Sequence, residues 1–427
     1  MHGRYRMKKV FILLISILIL VACSDDTGAN SKNENVASTI GWRSAGFTPV
    51  ISSERGGGLQ KITHSGNWLI LMDAWTSPVE GKSETWTTLT YSPRLFISRM
   101  GTGIWDTLVP PTSSYVKQLY ADSFGVYIGT YNSEVFEYNP EKKEWKNLNV
   151  KKADDSLWYH IYGIQRFNDK LIVSMAGHTE SLGNYAKVLL QKDSGWHDLQ
   201  LPRVRKDMYV ESLTDPLYFA DAVEMDGNLY VCTMDGVWKL DAATLSWTEL
   251  PKFPKMQWNS NYHDVYEVQD LIVYKESLIA VDGSNDRVYQ WDGASNWLAL
   301  DSMILPAVAY ENGDTSYNIY RSSLHDIKDL ATDGKHLFIA GDWHCPKVYM
   351  GDYGEPYGNI PKGWRTMMRG WCAEKGGCVS KDATYSLDIV GDTIYAAAWE
   401  GLFKMPLSDL DSAIAEQSDF KGFEKYQ

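Results

Sequence analysis

Five of the nine histidines in this 427-residue chain stand at the edges of short apolar, β-rich runs: His160, His178, His263, His325 and His344. Carboxylates occupy similar edges at Asp73, Asp235, Asp282, Asp342 and Glu400. So do the aromatics Trp75, Tyr131, Trp343 and Trp399. Flat aromatic faces beside imidazoles and carboxylates suit a polar ligand that also has apolar faces, such as a sugar or a peptide. The histidines could instead hold a divalent metal for lyase or hydrolase chemistry. No cofactor is required by the first reading, and a divalent metal is the addition the second would need. No Gly-x-Ser-x-Gly elbow and no His-Glu-x-x-His pair is present. The His-Asp steps at 263–264 and 325–326 place neighbouring side chains on opposite faces of a strand, so both need not reach one site.

These residues meet only if the runs around them repeat one unit. Trp105, Trp145, Trp196, Trp247, Trp297 and Trp364 each close a similar segment, and the middle units end about 50 residues apart. A segment reads as an apolar run, a turn such as Asp122-Ser123, Asp226-Gly227 or Asp333-Gly334, a second apolar run, a polar turn, an alternating run and a Trp. That wording predicts four strands, the outer one begun by the Trp. Such sheets cannot cover both faces alone and stack around an axis, as propeller blades do. Trp42 has the ending but no segment before it, and the last segment, near Met405, has no Trp. The two defects complement each other. An all-β, seven-bladed β-propeller is expected, its last blade completed by residues 41–52. The second-to-third loops and the starts of the inner strands then share one rim, and that rim gathers the residues named above.

The repeat wording, for example LYVCTMDGVWKLDAATLSW and VYIGTYNSEVFEYNP, resembles kelch-like and two-component-regulator-type propeller repeats. The N-terminus resembles a bacterial lipoprotein signal. Lys8 and Lys9 precede an apolar run from Val10 to Val21, and Leu20-Val21-Ala22-Cys23 resembles a lipobox. This resemblance implies cleavage before Cys23, acylation of Cys23 and anchoring in a lipid bilayer. With Ser24 next, it implies the cell envelope, and the outer membrane in a Gram-negative cell. Residues 1–22 then form the signal peptide, 23–40 a polar tether, 41–405 the propeller and 406–427 a tail with a short helix over Leu407 to Gln417.

The mature chain would carry 37 basic and 54 acidic residues, a net charge of −17. That disfavours nucleic acid as a partner, because phosphate binding draws on clustered Lys and Arg. Export permits disulfides. Cys372 and Cys378 bracket a short Gly-containing loop and form the candidate pair, whereas Cys232 lies inside an apolar strand and reads as a buried free thiol. The function expected is ligand binding at the rim, with a glycan or an envelope protein as partner. The alternatives are an envelope-complex scaffold and a metal-dependent polysaccharide lyase or hydrolase.

Overall fold

The computed structural model describes residues 42–47, 58–73, 76–78, 89–91, 93–150, 159–179, 183–199, 201, 203–205, 214–216, 218–254, 268–283, 287–300, 308–309, 315–316, 327–341, 346–351, 363–367, 384–399 and 401–414. Within them lie seven four-stranded antiparallel sheets. The inner strands of blades 1 to 7 are Leu59–Ser65, Val116–Asp122, His160–Phe167, Phe219–Met225, Val268–Tyr274, Ile327–Thr332 and Thr384–Val390. Each packs against the next, and the seventh packs against the first, so the ring is closed.

Blade 7 is the composite blade that the displaced Trp42 predicts. Its inner three strands are Thr384–Val390, Thr393–Ala398 and Gly401–Pro406, and its outer strand is Arg43–Phe47 from the other end of the chain. Arg43 pairs with Lys404 and Ser44 with Phe403.

Tight turns fix the register between inner and second strands. Asn168-Asp169, Asp226-Gly227 and Lys275-Glu276 all have both residues at positive φ. That is the twist a two-residue hairpin needs. The pair expected at Asp122-Ser123 lies one residue later. Asp122 stays in the strand opposite Gly125, and its carboxylate accepts the Phe124 and Gly125 N–H groups at 2.8 and 3.2 Å. In blade 6 Thr332 pairs with Leu337, so the expected Asp333-Gly334 turn widens to four residues.

The core is seven apolar clusters, one at each seam between blades. Second strands serve two seams at once. In blade 4, Leu229 and Val231 face blade 3, while Tyr230 and Cys232 face blade 5. Cys232 is a buried free thiol. The tryptophans also work across the seams. The indole N–H of Trp196 donates to the Leu148 carbonyl of the preceding blade at 3.0 Å, Trp247 to Leu199 at 3.2 Å, and Trp297 to Pro251 at 2.8 Å. Trp364 donates to Leu300 at 3.1 Å, and Trp42 to Met367 at 3.1 Å.

The seam between blades 7 and 1 is different. Trp105 is the tryptophan that should bond back to blade 7, yet its indole N–H is buried without a partner. The strand it would reach is bulged: register jumps from Ser44 opposite Phe403 to Phe47 opposite Leu402, with Gly46 at φ +80°. Trp105 instead meets the Phe47 ring edge-on at 5.1 Å.

The tail departs from the expected helix over Leu407 to Gln417. A 3-10 turn, Leu407–Asp409, leads into a single helical turn, Leu410–Ala413. Ile414 then turns extended and bridges to Met367, which ends the helix. Leu410 and Ala413 are buried at the seam between blades 6 and 7.

Deleting residues 41–52 exposes blade 7 as an open edge. Thermal melting followed by circular dichroism should show a sharp fall in Tm, or no soluble protein. An unchanged melt would refute the closing strand. Trp364→Ala, at a fully buried position, should cost about 3–5 kcal/mol.

Candidate functional site at the channel mouth

The two rims of the ring differ. First-to-second connections are short turns on one rim. Second-to-third and outer-to-inner connections leave by the other. Three small ribbons lie in these connections: Thr76–Pro78 with Leu89–Tyr91, Arg203–Arg205 with Thr214–Pro216, and Val308–Ala309 with Thr315–Ser316. Long loops on a rigid scaffold are where binding groups concentrate.

On this rim every inner strand carries a bulge just after its first buried residue. In blade 1 register jumps from Leu59 to Lys61, in blade 2 from Val116 to Gln118, and in blade 3 from Ile161 to Gly163. Blades 5, 6 and 7 jump from Val268 to Asp270, Ile327 to Asp329 and Thr384 to Ser386. In blade 4 the skip runs from Phe219 to Ala222. A bulge re-aims the side chains around it. The result is two layers around the channel. The outer layer holds Gln60, Lys117, Tyr162, Ala220, Gln269, Lys328 and Tyr385. The inner layer holds Lys61, Gln118, Gly163, Asp221, Asp270, Asp329 and Ser386. Ten of these residues line an open cavity of about 240 Å³: Lys61, Lys117, Gln118, Tyr162, Ala220, Asp221, Gln269, Asp270, Lys328 and Asp329.

Four of the seven inner-layer residues stitch one blade to the next. The Leu271 N–H donates to Asp221 at 3.2 Å, Leu330 to Asp270 at 2.5 Å, and Leu387 to Asp329 at 2.7 Å. The Ile62 N–H donates to the Ser386 hydroxyl at 3.3 Å, and that hydroxyl donates to Asp329 at 2.6 Å. Blades 4 through 7 and back to 1 are joined in this way. The other three, Lys61, Gln118 and Gly163, include no acid. At Gly163 a methyl group would fall 2.5 Å from the Phe219 ring, because blades 3 and 4 approach closely there.

The electrostatics follow from this division. Burial acts to lower the Lys61 pKa, but the attraction of Asp329, Asp221, Asp270 and Asp388 outweighs it and the pKa is raised. Burial raises Asp270 well above the carboxylate range, and Asp221 and Asp329 add to the effect while Lys61 opposes it. Burial also raises Asp329, against the pull of Lys61 and the Ser386 and Leu387 hydrogen bonds. The channel therefore holds a charged ammonium beside two acids, Asp270 and Asp329, whose ionisation burial disfavours.

Above the cavity, on blades 2 to 4, stands an aromatic shelf. Tyr131 and His160 lie 4.8 Å apart, His160 and Tyr162 6.4 Å, and Tyr162 and Tyr218 4.4 Å between ring centroids. The Lys117 ammonium lies 5.6 Å from the Tyr131 ring centre and 5.2 Å from that of Tyr162. His160 Nδ1 is 2.9 Å from the Tyr131 carbonyl. All five residues are half-buried. Across the mouth, Tyr385 and Trp399 stand 6.5 Å apart, and Gly58 lets the backbone approach the Trp399 indole.

The other residues expected on this rim divide sharply. Asp73 is buried, and both its oxygens are engaged by Arg94, by the backbone N–H at 2.7 Å and the guanidinium at 2.8 and 2.5 Å. Asp282 is buried, opposite Arg287 in the adjoining strand. Asp235 forms an ion pair with Lys252 at 2.8 Å. His178 lies in the strand Lys170–Thr179. Trp75, His263, His325, Asp342, Trp343, His344 and Glu400, with Cys23, Cys372 and Cys378, lie outside the described residues. Lys61, Asp221, Asp270 and Asp329 were not anticipated. Their signal is two adjacent polar residues inside an apolar run, as in Gln60-Lys61, Gln269-Asp270 and Lys328-Asp329. Such a pair breaks strand alternation and marks a bulge.

A second cavity, of about 360 Å³, opens at the opposite mouth against Thr63, His64, Gly66, Ala121, Asp122, Ser123 and Asp388. His64 Nδ1 pairs with Asp388 at 2.8 Å, joining blades 1 and 7. His64, too, was not anticipated.

No family model and no curated protein matches the chain. Solved structures do resemble it. The virginiamycin B lyase of Staphylococcus aureus aligns with a TM-score of 0.50 and 14% identity, over 82% of this chain and 94% of that one. A catalytically inactive form of the same lyase with quinupristin gives a TM-score of 0.51 and 12% identity, over 86% and 99%. A streptogramin B lyase gives 0.51 and 11%, over 85% and 96%. At these identities the likeness is one of fold.

Two outcomes test this geometry. Asp329→Ala strands the Leu387 N–H, and chemical denaturation should show a loss of about 1–3 kcal/mol. The Asp388 hydrogen bond raises the His64 pKa, with burial opposing it. The pair therefore stabilises the fold fully below the unfolded imidazole pKa of about 6.5, and that contribution is lost as pH rises through the higher folded value. The Tm gap between wild type and His64→Gln should be larger at about pH 5.5 than at about pH 8.5. An equal gap at both would remove the pair from the seam.

Proposed function

We propose that this chain is an extracytoplasmic lipoprotein, held to the membrane through acylated Cys23, whose propeller binds a glycan at the long-loop mouth of its channel. The observation that carries the reading is the aromatic shelf of Tyr131, His160, Tyr162 and Tyr218 beside a polar cavity. Flat rings cover the apolar faces of a sugar, and adjacent amides, hydroxyls and charges serve its hydroxyl groups. The cavity is smaller than the roughly 300–1,000 Å³ that encloses a drug-sized ligand. It suits one ring of a longer chain, with neighbouring rings on the shelf. A protein segment is the second ligand class that such a surface accepts.

The envelope supports this reading through its supply of glycans and exposed protein segments. The lipobox at Leu20-Val21-Ala22-Cys23 supports the anchor, and Ser24 the outer membrane in a Gram-negative cell. No divalent metal is needed for binding.

Retention on a glycan array should drop about tenfold in affinity, about 1.4 kcal/mol, in Tyr162→Ala and in Trp399→Ala, with Tm preserved. Capture of a peptide library in place of glycans would move the ligand to protein. Co-purification with an envelope complex that both variants leave intact would favour the scaffold. One equivalent of divalent metal, lost in His178→Ala, would favour metal-dependent lyase or hydrolase chemistry.

A further inference from the structure

The outer layer of the mouth has an unusual composition for this chain. The protein carries 54 acidic residues against 41 basic. Yet the seven equivalent bulge positions include Lys117 and Lys328, two glutamines and two tyrosines, and no carboxylate. Among these described positions, the outer layer offers hydrogen-bond donors and the acids lie in the inner layer. The side chains there are also set in place by the second-to-third turns of their own blades. Lys117 lies against Tyr131, Gln269 packs on Gly283, and Tyr385 faces Trp399.

We infer that the glycan taken at this mouth is acidic, its carboxylate received by Lys117 and the donors of the outer layer while its ring lies on Tyr131 and Tyr162. This rests on the glycan-binding reading above and names the class of sugar. The geometry explains why the carboxylate and the ring are read together. One ammonium lies 5.6 and 5.2 Å from the centres of two shelf rings, so a sugar stacked there brings a ring substituent within its reach. A uronate presents a planar charged group that accepts charge-assisted hydrogen bonds, and these are about twice as strong as neutral ones.

The acids beneath do not reverse the preference. Asp221, Asp270 and Asp329 each accept main-chain N–H groups from the neighbouring blade. Lys61 stands among them, and burial raises Asp270 and Asp329 toward their neutral forms. Their charge is largely answered within the channel wall.

The test uses the intact soluble propeller with its tether and isothermal titration of matched probes: a glucuronate-containing tetrasaccharide, its carboxyl-reduced twin, an amine-bearing chitosan tetrasaccharide and an acidic peptide of equal charge. The acidic sugar should bind about tenfold more tightly than its reduced twin, and that margin should shrink as salt rises. Lys117→Gln should erase the margin between the acidic sugar and its reduced twin, while Lys117→Arg should retain it. Lys328→Gln is a second probe of the same layer. Equal binding of the acidic sugar and its reduced twin, with Tyr162→Ala still weakening both, would overturn the acidic preference and leave glycan binding standing. Preference for the amine-bearing sugar would assign selection to the acids below and overturn it too. Binding of the peptide alone, or of no probe, would overturn both readings.

Discussion

Burial of both faces of each second strand is the constraint from which the rest of the molecule follows. Ile70, Leu71, Ile128, Ile172, Val231, Ile279 and Ile339 are all essentially sealed from solvent. A lone four-stranded sheet cannot do this, so each blade needs a neighbour on either side and the series must close on itself. Closure crowds seven inner strands around an axis. Their first buried residues pack into the seams, and the residues just after them have only the channel or the adjacent blade to face. The bulges manage that crowding. They allow a polar pair where strict alternation would demand one apolar and one polar residue, and they turn a structural necessity into a lined cavity.

The seams are not built alike. Five carry a tryptophan bonded to the carbonyl of the blade before it. The seam that joins the two ends has an indole with no acceptor and a small apolar cluster of Leu59, Ile62, Leu69, Leu71, Ala397 and Leu402. Polar contacts cross this seam as well: Ser386 with the Ile62 backbone, and His64 with Asp388. The channel chemistry and the ring closure draw on the same residues.

The architecture was readable because its signals are local and repeated. Tryptophans, hairpin pairs such as Asp226-Gly227 and apolar runs recur at fixed offsets, and Trp42 without a segment pointed to the composite blade. The site was readable only in part. Tyr131, His160 and Trp399 sit at element edges and stand at the mouth as expected. Asp73 has the same sequence setting, but its partner Arg94 comes from beyond an insertion, a meeting that strand pattern alone does not reveal. Lys61, Asp221, Asp270 and Asp329 sit inside apolar runs, where a broken alternation marks at most a bulge and not a site. Their significance comes from convergence of different blades, and one blade's sequence carries no trace of it.

The bond from Trp42 to Met367 spans 325 residues of sequence, and this has a consequence for how the molecule comes into being. The strand that is synthesised first is among the last to find its place. Until Thr384–Pro406 exists, the opening strand has no template, so a growing chain must keep that segment unpaired throughout most of its synthesis. Contacts of such separation fold slowly. A polypeptide that cannot finish its own perimeter early stays open until its last blade is made.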